Sequence, residues 1–597
     1  MACTCGGEQG WTQFGPNHVT YCTQCHRLQS RPLVDPRVPT LGDHMRALRE
    51  EISVEEEESK DPEKVLTCTI ESAQRSQHGS EVRVQIMQGD PRWLVEGSRL
   101  EGRHADQKVS EDNQTMVRVK KKGGPVLDLD VEDPAWANAP RGHQVILEPQ
   151  TNATLYRNLL KAFLVVTRQG GDELLAPNRL PKVQPKPVAP KGLRPKQADA
   201  LALALGNPVN GTVLIQGPPG TGKTFVIARF ISEAVARGET VLVCSHTHVA
   251  IDNALRKAVK GDRRLAGSIV RLGDSGNVAA DLLPWNKPIG KFHMDPEDEE
   301  SLPLFRSVFE HRPVVGMTLD ALACAFVHID NMDQPLEQFD HVIVDEAGMN
   351  AYPKLAIARA AGKRLVLVGD PLQLPPIIRA WSYRNDVHYK RSHFEVLQLL
   401  RPDLSVMLDE QFRSHPDVYQ WSNDAVYDGR VATQGERKAL SWRGAGPVVW
   451  VHTKARDERV GSSRVNREHL EIAMTVALEM MEDGLPPEEI GFISPFKAQA
   501  NAFVEAAAAH KKAHVLSRIT ASTVDAFQGN ERRAIIYDLT SRRPGKPHED
   551  HRRLNVSLTR AQDLLVLIGS RAFVRRDEDN PYYASLQRWP AAATVAW

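Results

Sequence analysis

The octapeptide Gly217-Pro218-Pro219-Gly220-Thr221-Gly222-Lys223-Thr224 stands between an apolar run, Val213-Leu214-Ile215, and a helix-forming run, Phe225 to Phe230. Strand, glycine loop and helix in that order leave loop N–H groups gathered at a helix N-terminus, where they cradle phosphate. Lys223 brings charge to the β- and γ-phosphates, and Thr224 a hydroxyl to Mg²⁺. The segment therefore predicts a nucleoside-triphosphate site on an open α/β sheet.

The chain is 597 residues long, which predicts several domains. Its 75 basic and 75 acidic residues cancel, so it carries no overall basic field. A local groove can still be basic, and nucleic acid is neither required nor excluded. Lys120 to Lys122 read as a solvated loop and Glu55 to Glu58 as an exposed helix end or linker. No apolar run is long enough to cross a bilayer, and the N-terminus lacks the pattern of a secretory leader. Of 7 cysteines, Cys3, Cys5, Cys22 and Cys25 cluster at the N-terminus. That clustering suits one tetrahedral Zn²⁺ site in a reducing, intracellular compartment, cytoplasmic or nuclear, better than a disulfide framework. The close Cys3–Cys5 pair leaves the ligand set open, with a histidine as an alternative fourth ligand.

The zinc ribbon-like segment occupies 1–30, and 31–63 form a linker and stalk helix. Residues 64–150 alternate with period two, as in Val82-Arg83-Val84-Gln85-Ile86, and predict a small antiparallel β-barrel. A stalk helix and a stiff proline-rich linker fill 151–190. Apolar strands then alternate with helices to the C-terminus, the pattern of parallel α/β domains. Two RecA-like domains are expected, at 191–380, with an insertion at about 274–311, and at 381–597. The α/β core is expected to fold without the zinc segment.

A second chemical site is written in His341-Val342-Ile343-Val344-Asp345-Glu346. The run places two acids at the C-terminal edge of a strand, where such sheets bind ligands. Asp345 is suited to hold Mg²⁺, and Glu346 to orient and deprotonate the attacking water. A further strand ends in Gly369-Asp370-Pro371-Leu372-Gln373-Leu374-Pro375-Pro376, where Gln373 is placed to sense a γ-phosphate.

These motifs resemble superfamily 1 helicases of the B branch, in the group holding the up-frameshift RNA-surveillance and immunoglobulin-mu-binding helicases. Over about 190–570 they stand in the family's order: Gln197 in LRPKQADAL, the phosphate loop, Cys244 to Leu255, VVGMT ending at Thr318, VIVDEA, GDPLQLPP, Leu408 to Pro416, Ile493 to Gln499, Thr523 to Glu531, and Leu554 to Gln562. The resemblance implies ATP and Mg²⁺ as cofactors, Gln197 on adenine, and Phe412 stacked on the base. It implies Arg413 and Arg560 reaching the triphosphate from the second domain, with Gly529 and Glu531 completing the cleft. Thr247, Thr318, Ser494 and Thr523 would contact the nucleic-acid backbone, each equally readable as a turn or capping hydroxyl. Where relatives place glutamine, this chain has Met349, whose thioether cannot replace an amide's hydrogen bonds. The function implied is a monomeric ATP-dependent helicase or translocase moving 5′→3′ on single-stranded RNA or DNA. A remodeller of protein–nucleic-acid complexes and an ATP-switched clamp are the alternatives. The zinc segment would serve as an auxiliary grip or a protein-docking surface.

Overall fold

The computed structural model describes residues 9–14, 17–22, 28–32, 39–59, 65–76, 79–88, 99–106, 115–123, 126–131, 133–149, 153–168, 173–189, 192–273, 278–287, 313–330, 338–380, 382–383, 391–575, 579–589 and 591–597. The chain divides into two compact units, Gly42–Lys161 with Arg379–Tyr383, and the remainder.

In the smaller unit six antiparallel strands close a barrel, in the order Leu66–Ser76, Gly79–Gln88, Val126–Val131, Thr115–Gly123, Arg99–His104 and Gln144–Pro149. Alternation drives it. Val82 and Val84 face inward with Leu127, Leu129 and Val131 across the register, and Trp136 fills the interior. The alternate residues Arg83 and Asp128 pair outside at 2.6 Å. Lys120 belongs to a strand rather than a loop and pairs with Glu81 on the barrel wall.

The helix Leu41–Ser59 of this unit runs through the acidic stretch. Glu51 and Glu55 are buried rather than solvated. Glu51 accepts hydrogen bonds from the N–H groups of Arg379 (2.7 Å) and Ala380 (2.9 Å), and Glu55 pairs with the Arg379 guanidinium. Burial holds the Glu51 carboxyl above its ordinary pKa.

Among its described residues the larger unit contains two large parallel sheets. The first has eight strands, ordered Asn286–Lys287, Ile269–Leu272, Val314–Thr318, Val241–Ser245, His341–Asp345, Leu365–Gly369, Thr212–Gln216 and Ser405–Met407. Its central strands are buried along their whole length, which is why they read as unbroken apolar runs. Ser405–Met407 pairs with Thr212–Gln216, so the chain returns to this sheet beyond residue 380. The second sheet orders Thr520–Thr523, Ile490–Ser494, Arg532–Asp538, Ala561–Gly569, Val448–His452 and Ala593–Ala596.

Three short antiparallel strands, Gln9–Phe14, Asn17–Cys22 and Leu28–Pro32, precede these sheets. Their Val19 and Leu28 share a hydrophobic cluster with Tyr419, Trp421, Val448 and Leu586 of the second α/β half. Val19 and Leu28 of these strands are thus packed into the core of the second α/β half.

Candidate active site

The phosphate loop leaves the strand Thr212–Gln216 and enters the helix Lys223–Ala236 through Gly222, whose φ of 87° lies in the left-handed region. A side chain there would also strike the Gln197 amide, 2.7 Å from the ideal Cβ position. Glycine is required on both counts. The loop is pre-formed by its own bonds: Thr221 Oγ1 donates to Pro218 O (2.8 Å) and Lys223 Nζ to Gly217 O (2.8 Å). Gln197 Nε2 donates to Thr221 O (3.0 Å), while Gln197 Oε1 accepts from Arg194 N (3.2 Å). The Gln197 amide therefore braces the loop.

Asp345 ends its strand fully buried, and Glu346 turns away from it in a left-handed conformation, φ 53° and ψ 38°. Burial, and then the neighbouring Glu346, push the Asp345 carboxyl up to about 7. A desolvated carboxylate beside a second acid is a poor anion by itself and a good partner for a cation. Asp345 and the Thr224 hydroxyl line the same cleft, so the donor set fits Mg²⁺. A group of three or more clustered metal-ligating residues is not found among the described residues.

The cleft measures about 390 Å³. Pro218 to Thr224, Asp345, Glu346 and Gln373 come from the first α/β half, and Phe412, Arg413, Gly529, Glu531 and Arg560 from the second. Gln197 stands behind the loop. Phe412 is half-exposed at the rim, with the Arg194 guanidinium 5.2 Å above its ring. Arg413 Nε pairs with Glu531 at 2.5 Å. Arg560 is buried; burial, and then the nearby Arg413, lower its pKa to about 10. Its guanidinium donates to Gln373 Oε1 (3.2 Å), Val556 O (3.2 Å) and Asn530 O (3.4 Å). Asp563, the nearest carboxylate in sequence, is instead bridged by Arg437 and Arg533, each at 2.7 Å.

Sequence reasoning missed several of the lining residues, Val249, Ala250, Asn253 and Gln528 among them. Gln528 Nε2 donates to the Met349 sulfur, so an amide from the second half stands beside the departure from the family pattern. Thr247, assigned to the strand track, lines this cleft and caps the helix His248–Gly261. Thr318 is buried and its hydroxyl accepts from Ala321 N. The buried Ser494 hydroxyl is engaged by Phe496 N and Thr540 Oγ1. Thr523 ends its strand half-buried. The turn or capping alternative describes Thr247, Thr318 and Ser494. Of the expected zinc ligands, Cys22 is buried, and Cys3, Cys5 and Cys25 lie outside the described residues.

A phosphate loop, a carboxylate pair and two arginines converging on one cleft define a class, the P-loop ATPases. Residues 192–288 and 298–380 match one family model and 389–572 another, each described as an AAA domain. The chain is accordingly an ATP hydrolase. It is 29% identical over 391 residues to the DNA replication ATP-dependent helicase/nuclease DNA2 of Gallus gallus, covering 65% of this chain and 37% of that protein. It is 27% identical over 434 residues to the Regulator of nonsense transcripts 1 homolog of Drosophila melanogaster, covering 67% of this chain and 36% of that one. The chain belongs with these relatives to the superfamily 1 helicases, and it spans little more than a third of their length. Among solved structures, Arterivirus nonstructural protein 10 (helicase) aligns over 92% of this chain and 85% of its own, with a TM-score of 0.37 and 14% identity. None of the helices among the described residues is long and apolar enough to cross a membrane.

Proposed function

We propose that this chain is a nucleic-acid-dependent ATPase that moves 5′→3′ along single-stranded RNA or DNA and unwinds duplexes, with each parallel sheet the centre of a RecA-like domain. The observation that carries this is the composition of the cleft, whose phosphate loop and acids follow strands of one sheet and whose Arg560 directly precedes a strand of the other. Hydrolysis at such a junction alters the contacts between the two halves, which is what a motor needs. Lys223 and the loop N–H groups hold the phosphates, and Glu346 orients the attacking water and takes its proton. Thr224 and Asp345 would hold Mg²⁺, which supplies charge neutralisation to the phosphate oxygens. Gln373 and Arg560 stabilise charge as it develops. The N-terminal thiols hold Zn²⁺ and offer a surface for strand or protein, and the chain acts as a monomer in a reducing compartment.

The test is ATP turnover titrated with matched single-stranded RNA and DNA oligonucleotides, followed by displacement from duplexes with a 5′ or a 3′ tail. Stimulated turnover with displacement from the 5′-tailed duplex is expected. Stimulation without displacement makes the protein a translocating remodeller, and unstimulated turnover removes nucleic acid as its track.

A further inference from the structure

Behind the cleft wall Gln373 and Arg560 belong to a buried polar ring whose other members, Asp370, Tyr427 and Asn555, the reaction chemistry above does not use. Asp370, 2% exposed, follows the strand Leu365–Gly369 of the first sheet. It accepts hydrogen bonds from Tyr427 Oη (2.7 Å), Gln373 Nε2 (3.0 Å), Leu372 N (3.2 Å) and Gln216 Nε2 (3.3 Å). Tyr427 belongs to the second α/β half, just past the helix Pro416–Ala425, and is fully buried. Its hydroxyl accepts from Asn555 Nδ2 (2.9 Å), which also donates to Leu372 O (2.9 Å). Asn555 lies on the helix His551–Leu558, two residues before whose end Val556 accepts from Arg560. Arg560 closes the ring on Gln373 Oε1 at 3.2 Å.

We infer that Tyr427 is a positioning residue for hydrolysis, which through Asp370 fixes the amide of Gln373 and ties it to the element that carries Arg560. The chemistry leaves the amide one orientation. A carboxylate only accepts and a guanidinium only donates, so Gln373 must turn its NH₂ to Asp370 and its oxygen to Arg560. The Tyr427 hydroxyl supplies the shortest bond to that carboxylate, and an O–H···O⁻ bond in a dry site is among the strong ones. It also crosses from one α/β half to the other, as do the bonds of Asn555 to Leu372 O and of Arg560 to Gln373. Opening the cleft must break it or carry it along, so the orientation of Gln373 reports whether the halves are engaged.

The inference rests on ATP hydrolysis at this cleft, and wild-type turnover checks that premise separately. The experiment uses the full chain with Tyr427→Phe, Asp370→Asn and the double variant. It measures kcat and KM for ATP with and without single-stranded oligonucleotide, affinity for a fluorescent ADP, and circular dichroism. The phenylalanine keeps the ring parallel to Tyr419, whose centroid lies 6.2 Å away. Turnover is expected to fall on the order of tenfold in each single variant, the scale of one hydrogen bond to a charged group. KM and ADP affinity should stay within about twofold, since neither residue holds the nucleotide. The double variant should be no worse than the poorer single one, because both cut the same link. Wild-type kcat in either folded variant, or losses that multiply in the double variant, would overturn the inference. Should Tyr427→Phe fold poorly, Asp370→Asn decides alone, its amide keeping the shape and one acceptor. A wild-type chain without turnover would refute the reading of the cleft instead.

Discussion

Replacing Arg560 by lysine separates a transition-state role from mere positive charge, and the surroundings of the residue set the size of the effect. The guanidinium spreads three donors over Gln373, Val556 and Asn530, on three different segments. An ammonium at one point cannot span them. No carboxylate in sequence neighbourhood neutralises it, since Asp563 is already engaged by Arg437 and Arg533. Burial beside Arg413 brings Arg560 down from 12.5 to about 10, so the site presses on any cation. A lysine starts from ~10.4, and the same burial and neighbouring cation push it down in the same direction. Two consequences follow. At pH 7 single-turnover hydrolysis should fall by at least ~10²-fold, or about 2.7 kcal/mol of barrier, because the planar fork is lost where charge develops. As pH rises above neutral the variant should lose further rate as the ammonium deprotonates, while the wild-type arginine stays charged. Affinity for a non-hydrolysable ATP analogue should change by less than about threefold. Equal losses of rate and affinity would assign Arg560 to ground-state binding. A reduced but pH-independent rate would refute the argument from local burial and charge.

Glu346→Gln keeps the shape of the side chain but can neither take the proton of the attacking water nor supply negative charge, so turnover should nearly stop while ATP-analogue binding persists; near-normal turnover would mean another group positions the water. Val19→Asp would put an unpaired charge into the cluster around Trp421 and Val448 and should destabilise the second α/β half by ~3 kcal/mol or more, seen as a lower unfolding temperature; an unchanged one would detach the N-terminal strands from the core. His393, His548 and His551 are held by burial at about 4, below the ordinary 6.5, so each is neutral when folded and gains a proton on unfolding. Their contribution is whole above pH 6.5 and is lost as pH falls toward 4, at about 2 kcal/mol each by pH 5. Thermal unfolding should therefore drop between pH 6.5 and 5, and a flat profile would contradict their burial.

Much of the α/β part was legible because its parallel strands are buried along their length and announce themselves as apolar runs. The barrel was legible for the opposite reason, since one face of each strand alternates with the other. Ser405–Met407 was not, because three residues carry no period, and only its pairing with Thr212–Gln216 makes it a strand. Glu55 looked solvated because nothing local names Arg379, which is far away in the chain. The same holds for Val19 and Leu28. For the hydroxyls, residue type foretold a hydrogen bond but not its partner: Thr318 caps a helix, Ser494 closes on Thr540, and Thr247 turns up at the cleft.

The acid pair shows how a local motif depends on distant backbone. Successive residues of a strand point to opposite faces, so adjacent acids could not both serve one cleft had the strand run on. It stops at Asp345, and the left-handed turn at Glu346 brings the second acid to the same side. Such a conformation costs ~1–3 kcal/mol in a residue other than glycine and persists only where the surroundings enforce it. Glu346 N donates to Asp345 Oδ1 at 2.9 Å, and Glu346 O accepts from Asn350 Nδ2 at 3.1 Å. From the next strand, Gly369 lets the backbone of this turn approach so closely that a Cβ would sit 2.8 Å from Gly348 N. Asp370 follows directly. The glycine that admits the turn of the acids is thus the neighbour of the carboxylate that orients Gln373, and the two acids and the amide are set by one backbone contact between adjacent strands.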